Sequence, residues 1–405
     1  MSAHPNTVEE KTIVTKNVAP AKLPLRRWVR VAHLWAGVIL GLWLVMLGLT
    51  GSALVYQHSL RQVLEQGRKI KLGVPALAVE DLLVRVHQQR PDVTILSLRG
   101  MQYKDSAVEV LVRPSIALRD AKQSGVLLVD PGTGEIGGTQ SFSGTLMGFL
   151  AQLHFNLLSG DTGLAINGFA GVLAIFFAVT GLILWWRGRT KWKNGLRIKW
   201  KGASSRVRAY SIHSAVGACA SLFLFITGLS GIYFAAPRPF LSLAASLNGS
   251  SIAIMKEFLA PRPSETKSGT PDALASQVLE AGQSQFPTSQ LVQVTLPIRS
   301  TDAWRLQFQP SGWADSGAIE LAVVDRRSAK VLAARRTADL PIAFRAVFLL
   351  RPLHDGSFGG ASTKVIWMLM GLTPGILLIT GLLIWRKRVA ANEQGARLDH
   401  LATHR

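Results

Sequence analysis

Val31 to Tyr56 reads VAHLWAGVILGLWLVMLGLTGSALVY, a run with no Asp, Glu, Lys or Arg. A helix rises about 1.5 Å per residue, so this run is long enough to cross the roughly 30 Å of hydrocarbon in a bilayer. Its one histidine, the one side chain in it that can gain charge near neutral pH, is His33, near the end that follows a cluster of arginines. The pattern recurs at an offset of 180 residues: His213 stands for His33, Gly217 for Gly37, and Gly228-Leu229-Ser230-Gly231 for Gly48-Leu49-Thr50-Gly51. An ionisable group is costly at a membrane boundary and usually faces the bundle interior. Two equivalent histidines in two equivalent helices therefore ask for a shared purpose.

Thr162–Trp186, Ala209–Pro237 and Val365–Trp385 are equally free of charge. The chain thus predicts four transmembrane helices, at 28–57, 164–186, 209–237 and 363–385. The first is too long for the apolar part of a signal peptide and lacks a small-residue cleavage site, so it is expected to remain as an anchor. Cations set the orientation. Arg187–Arg208 holds nine Lys and Arg and no acid, Lys22, Arg26, Arg27 and Arg30 precede the first helix, and Arg386, Lys387 and Arg388 follow the last. The tails at 1–27 and 386–405 and the basic loop at 187–208 are expected in the cytoplasm. Trp28, Trp185, Trp186, Trp192, Trp200 and Trp385 fall near the same face, as an aromatic belt would.

The 405 residues are 48% hydrophobic and 17% charged, with a net charge of +21. Much of that charge sits in the membrane flanks, where it serves topology and attraction to the lipid bilayer, so no nucleic-acid partner is expected. With Cys219 the single cysteine, one chain can form neither a disulfide, nor an iron–sulfur cluster, nor a thiolate zinc site.

The outer segments at 58–145 and 238–340 share a plan. In the first, Ala78–Gln89 has helical spacing and Val93–Leu98, Val108–Arg113 and Gly125–Val129 read as short β-branched strands. In the second, a helix is expected at Pro271–Ala281 and strands at Leu291–Leu296, Trp304–Phe308 and Ile319–Val324. Gly132, Gly134 and Gly137 satisfy a dinucleotide pattern, but Gly138-Thr139-Gln140-Ser141-Phe142-Ser143-Gly144 is poor helix material, so a hairpin turn is expected. Apolar runs at 146–163 and 341–362 should lie in the outer interface. A second set of matches, at an offset of 200, links Leu153-His154 to Leu353-His354, Gly171 to Gly371, and Thr180-Gly181-Leu182 to Thr380-Gly381-Leu382. Two duplicated halves of two crossings each should point the same way, about an axis along the membrane normal. The glycines of the spans allow close helix approach or leave room for a flat ligand, and Pro374 should kink the fourth span.

A twofold axis of that kind sets His33 opposite His213 at the cytoplasmic side and His154 opposite His354 at the outer side. Paired imidazoles with small residues beside them suit the two axial positions of a haem iron, so two bis-histidine haem b groups are expected, with these four residues as the iron ligands. His58 has Arg238 at its offset and so no metal-binding counterpart. It could replace His154 as the partner of His354, contact a substrate at the outer face, or be an ordinary boundary residue. His87, His4, His400 and His404 receive no role.

The chain resembles the PepSY-associated transmembrane family through Arg30-x-x-His33-x-x-x-Gly37 with Leu49-Thr50-Gly51, His213-x-x-x-Gly217 with Leu229-Ser230-Gly231, Val129-Asp130-Pro131-Gly132-Thr133-Gly134-Glu135-Ile136, and Thr380-Gly381-Leu382-x-x-Trp385-Arg386. The resemblance covers about 25–390. It implies PepSY-like α+β insertions on the periplasmic side, and membership beside FoxB-type ferrisiderophore reductases. These use two haems to reduce a periplasmic ferric siderophore and release its iron. The second hairpin, Val324-Asp325-Arg326-Arg327-Ser328-Ala329-Lys330, departs from the glycine-rich turn of the first. No flavin or nicotinamide fingerprint is present, so quinol or a separate reductase is expected as electron donor. The alternative is a non-redox PepSY protein that binds or regulates a periplasmic protease or an envelope assembly partner. A transporter is disfavoured because no charged residue lies within the runs to couple an ion.

Overall fold

The computed structural model describes residues 25–57, 60, 75–101, 107–115, 125–140, 145–186, 188, 192–265, 271–311 and 317–403. His58, most of the N-terminal tail, and Arg187, Arg189 and Lys191 of the basic loop lie outside them.

In chain order the helices of more than four described residues are α1 (Leu25–Val55), α2 (Val79–Gln89), α3 (Leu146–Asn156), α4 (Gly160–Trp185), α5 (Ser205–Ala235), α6 (Pro237–Leu247), α7 (Ala253–Leu259), α8 (Ala275–Gln283), α9 (Ile342–Phe348), α10 (Leu350–Asp355), α11 (Gly360–Gly371) and α12 (Thr373–Thr403). Four spans are long and apolar enough to cross a membrane: α1, α4, α5 and the α11–α12 pair. Their outward faces stay apolar, with Ile39, Leu42, Leu222 and Ile379 well exposed. That is the pattern of helices solvated by lipid. The fourth span is two helices with a break at Leu372, because Pro374 has no backbone N–H and its ring crowds the preceding turn. Beyond the membrane run α12 continues through 386–403, where Ala, Arg, Leu and Glu favour helix, so the expected tail is helical.

Two crossings bring backbones into contact. Gly171 of α4 meets Gly228 of α5, and Gly48 of α1 meets Gly371 of α11. Small residues are the usual means of such approach in lipid.

The strands form one antiparallel sheet in the order β4-β3-β2-β1-β5-β6-β7-β8. They are β1 (Val93–Arg99), β2 (Val108–Pro114), β3 (Gly125–Val129), β4 (Ile136–Gln140), β5 (Gln290–Thr295), β6 (Trp304–Gln309), β7 (Glu320–Val324) and β8 (Val331–Arg336). The two outer segments therefore share a single sheet. They join where Leu98 pairs with Val294, flanked by Ser97 with Thr295 and Arg99 with Gln293. On one face α2 and α8 cover a core that includes Leu82, Val86, Leu98, Val278, Val294 and Phe308. On the other, Leu321 of β7 packs with Met255, Phe258, Phe344 and Val347 of α7 and α9, and with Tyr233 at the end of α5. Helices α6, α7, α9 and α10 thus tie the sheet to the ends of the spans. Strands β4 and β8 and helices α6 and α7 are additions to the sequence reading.

The turn after β3 is a hairpin. Asp130 Oδ1 accepts from Gly132 N at 2.8 Å and Thr133 N at 3.1 Å, and Gly134 takes φ 70°. Despite its different residues the second hairpin forms the same turn. Asp325 Oδ1 accepts from Arg327 N at 3.0 Å and Ser328 N at 2.9 Å, and Ala329 takes φ 53° where the first has glycine.

Candidate functional site

The four membrane-boundary histidines within the described residues come together as two pairs. His33 on α1 and His213 on α5 face each other at the basic end of the bundle, with ring centroids 6.4 Å apart. His154 on α3 and His354 on α10 face each other at the sheet end, 6.1 Å apart. All four are half-buried. His33 and Thr50 are 17 residues apart on α1, so the two sites are separated by about 25 Å along it. Between them Ala178, Ala220 and Leu224 are buried with Phe223 and Met370, an apolar seam.

Each ring is held through Nδ1 by a hydroxyl on a neighbouring helix of its own half of the chain. His33 meets Thr180 Oγ1 at 2.7 Å, His213 meets Thr380 Oγ1 at 3.0 Å, His154 meets Thr50 Oγ1 at 3.0 Å, and His354 meets Ser230 Oγ at 2.8 Å. The direction of these bonds comes from the hydroxyls. Thr180 donates to Phe176 O, Thr380 to Ile376 O, Thr50 to Met46 O and Ser230 to Ile226 O, at 2.6 to 2.8 Å. With its proton spent on the helix, each hydroxyl oxygen accepts, so each imidazole carries hydrogen on Nδ1. His213 repeats the point by also bonding Leu377 O, at 3.1 Å. The Nε2 lone pair of every ring is left for a ligand, which is how histidine is commonly fixed before it binds a metal.

The pairing answers the question of the small residues. Gly181 and Gly381, each next to a bonding threonine, lie under the rings: a Cβ there would come 3.7 Å from His33 Cε1 and 3.5 Å from His213 Cε1. At the sheet end a Cβ on Gly51 would come 2.9 Å from His154 Cε1. Thus Gly48 and Gly171 serve helix contact, whereas Gly37, Gly41, Gly181, Gly217 and Gly381 line a cavity of about 1190 Å³ around His33 and His213.

These residues fit a haem. Two metal–nitrogen bonds of about 2 Å, plus the half-widths of two five-membered rings, put the centroids of opposed axial imidazoles roughly 6 Å apart. Both pairs stand near that separation, and the inner cavity is walled by glycine and by aliphatic and aromatic side chains. A metal held by protein side chains alone is a poorer fit, since no group of three or more His, Cys, Asp and Glu occurs among the described residues.

Near the sheet-end pair, Asn167 Nδ2 donates to His154 O at 2.6 Å and Trp367 Nε1 to Leu353 O at 2.8 Å, fixing the backbone at His154 and just before His354. His87 is exposed on α2, away from both pairs. The hydroxyls are what the sequence reading missed. Their signal was present as a Thr or Ser directly before glycine, at Thr50, Thr180, Ser230 and Thr380.

Four apolar spans, a pair of imidazoles at either end of the bundle and a sheet beyond one of those ends define a polytopic helical membrane protein. The chain belongs to the PepSY-associated transmembrane family, described as PepSY-associated TM region, which matches residues 30–388. No curated protein matches the chain significantly.

Proposed function

We propose that the protein is a di-haem b-type oxidoreductase of the bacterial inner membrane that passes electrons to a ferric siderophore on the sheet side, releasing iron as Fe(II). The observation that carries this reading is the two facing imidazole pairs, each ring locked with Nε2 free. When bound, haem supplies a one-electron redox couple. Nε2 of His33 and His213 would hold one group, and Nε2 of His154 and His354 the other. A haem held by a histidine pair in this way would exchange electrons and leave little room for oxygen to bind. The hydroxyls orient the rings, and the apolar seam keeps water from the space between the sites.

The two offsets, the equivalent glycine crossings and the matching strand orders support an internal duplication about an axis along the membrane normal. The basic residues gathered at the His33–His213 end support a cytoplasmic location for that end and for both termini, and a periplasmic location for the sheet. Many chelators hold Fe(III) far more tightly than Fe(II), so one electron would loosen the complex without destroying the chelator. The donor is a quinol or a separate reductase.

The test is haem content and the reduced-minus-oxidised spectrum of purified wild type, His33→Ala and His354→Ala. Two haems in wild type and one in each variant are expected. A folded, colourless preparation would instead favour a non-redox role in binding an envelope protein.

A further inference from the structure

The cavity around His33 and His213 has a chemically one-sided mouth. Arg26, Arg30, Arg206 and Arg388 all line it, and no Asp or Glu does among the described residues. Arg26 and Arg206 are related by the same 180-residue offset as the two histidines. Arg26 spends its guanidinium on Leu184 O at 2.7 Å and Trp186 O at 3.1 Å, at the end of α4. Arg30, Arg206 and Arg388 make no hydrogen bond or ion pair among the described residues. Deeper in, the walls are glycine, leucine and aromatic rings. The occupant that satisfies both ends is flat and apolar over most of its area and carries anionic groups along one edge.

We propose that Arg30, Arg206 and Arg388 bind the two propionate carboxylates of a tetrapyrrole, turning that edge toward the basic end of the bundle. This rests on the axial reading of His33 and His213. Guanidinium suits the role because its planar fork meets a carboxylate through two parallel donors. A charged edge at the mouth also sets where an electron enters, since it is the part of the ring nearest solvent. Cations beside the ring favour the reduced state, whose charge is one unit more negative.

The experiment uses full-length protein carrying His154→Ala and His354→Ala, so that only the inner pair can ligate, produced without haem and titrated with haem or with its dimethyl ester. The diacid should bind at least about tenfold more tightly than the diester, the scale of one charge-assisted hydrogen bond. Adding Arg30→Gln, Arg206→Gln and Arg388→Gln should bring the two to within about twofold while the bis-imidazole spectrum persists. Equal binding of acid and ester before those changes, or a preference that survives them, would overturn the proposal and leave these arginines to lipid phosphates. Uptake of neither compound would overturn the axial reading itself. A second measurement covers a triple variant that fails to fold: in loaded protein, Arg206→Gln should lower the midpoint potential of the inner haem, and Arg206→Lys should restore most of it. An unchanged potential in the Gln variant counts against the proposal.

Discussion

Gly171 of α4 and Gly228 of α5 face each other so closely that a Cβ added to either would lie 2.6 Å from the other's carbonyl oxygen. Gly48 and Gly371 make the equivalent crossing between α1 and α11. The first contact seats α5, which carries His213, against α4, whose Thr180 bonds His33, and the second seats α1, which carries His33, against α11. Backbone cannot give way as a flexible side chain can. Gly171→Ala or Gly228→Ala should therefore destabilise the detergent-solubilised protein by about 1–3 kcal/mol, the usual cost of overpacking. Thermal unfolding followed by tryptophan fluorescence measures it, and a change within error would show that the crossing is slack.

The glycines beneath the rings predict an asymmetry between the two sites. A methyl at Gly51 would press on His154 Cε1 at 2.9 Å, while one at Gly181 would rest against His33 Cε1 at 3.7 Å, ordinary contact. Gly51→Ala should weaken haem retention at the sheet-end site, and Gly181→Ala should leave the basic-end site occupied. Haem content of the two variants, each compared with wild type, decides the matter.

Ala329 occupies the left-handed region at φ 53°, where the first hairpin has Gly134 at φ 70°. Side chains with a Cβ are strained there by roughly 1–2 kcal/mol. Glycine would relieve that strain but gain freedom in the unfolded chain, so Ala329→Gly should stabilise by up to about 1 kcal/mol. The converse, Gly134→Ala, meets Arg85 Cδ at 2.7 Å as well as the strain and should destabilise by more. Urea unfolding monitored by far-UV circular dichroism would read both signs.

Asp272 and Arg326 form a bidentate pair, with Arg326 Nε to Oδ1 at 2.7 Å and Nη2 to Oδ2 at 2.6 Å. The hydrogen bonds from Arg326 hold the Asp272 carboxyl below its ordinary range. A depressed carboxylate adds stability that is fully present above the unfolded value, near 4, and is lost as pH falls through the folded value. The Asp272 side chain is half exposed, so screening keeps the contribution below about 1 kcal/mol. Asp272→Asn should therefore lower stability slightly at neutral pH and converge with wild type in acid, once pH has fallen below the lowered value of the folded carboxyl. Parallel unfolding curves at every pH would sink this account.

The spans were legible because length without charge is itself the physical requirement for crossing a bilayer. The pairing of His33 with His213 and of His154 with His354 was legible because equal offsets imply equivalent places. The joining of both outer segments into one sheet was not. The bond between β1 and β5 links residues far apart in sequence, and backbone pairing leaves no local mark on either strand. Edge strands β4, with Gly137 and Gly138, and β8, with Ala333 to Arg336, escaped because each lacks the apolar alternation that betrays a half-buried strand. The Thr and Ser residues before the glycines were read only as members of a repeat. Their role depends on a helix carbonyl taking the hydroxyl proton, a fact that exists only once the helices are packed.

Those hydroxyls give the sharpest test of the site. If each accepts from Nδ1–H and so fixes its ring, replacing it with a methyl must free the imidazole to rotate without changing the ligand itself. Partners of this kind typically contribute 10–100-fold to the affinity of a metal site. Thr180→Val should therefore weaken the hold on haem at the His33–His213 pair by roughly that factor, and Thr50→Val should do the same at the His154–His354 pair, each leaving the other site loaded. Thr180→Ser and Thr50→Ser keep the oxygen and should behave as wild type. Dissociation rates measured by transfer of haem to an acceptor protein separate these cases. If Val and Ser variants release haem alike, the hydroxyls are only closing their own helices.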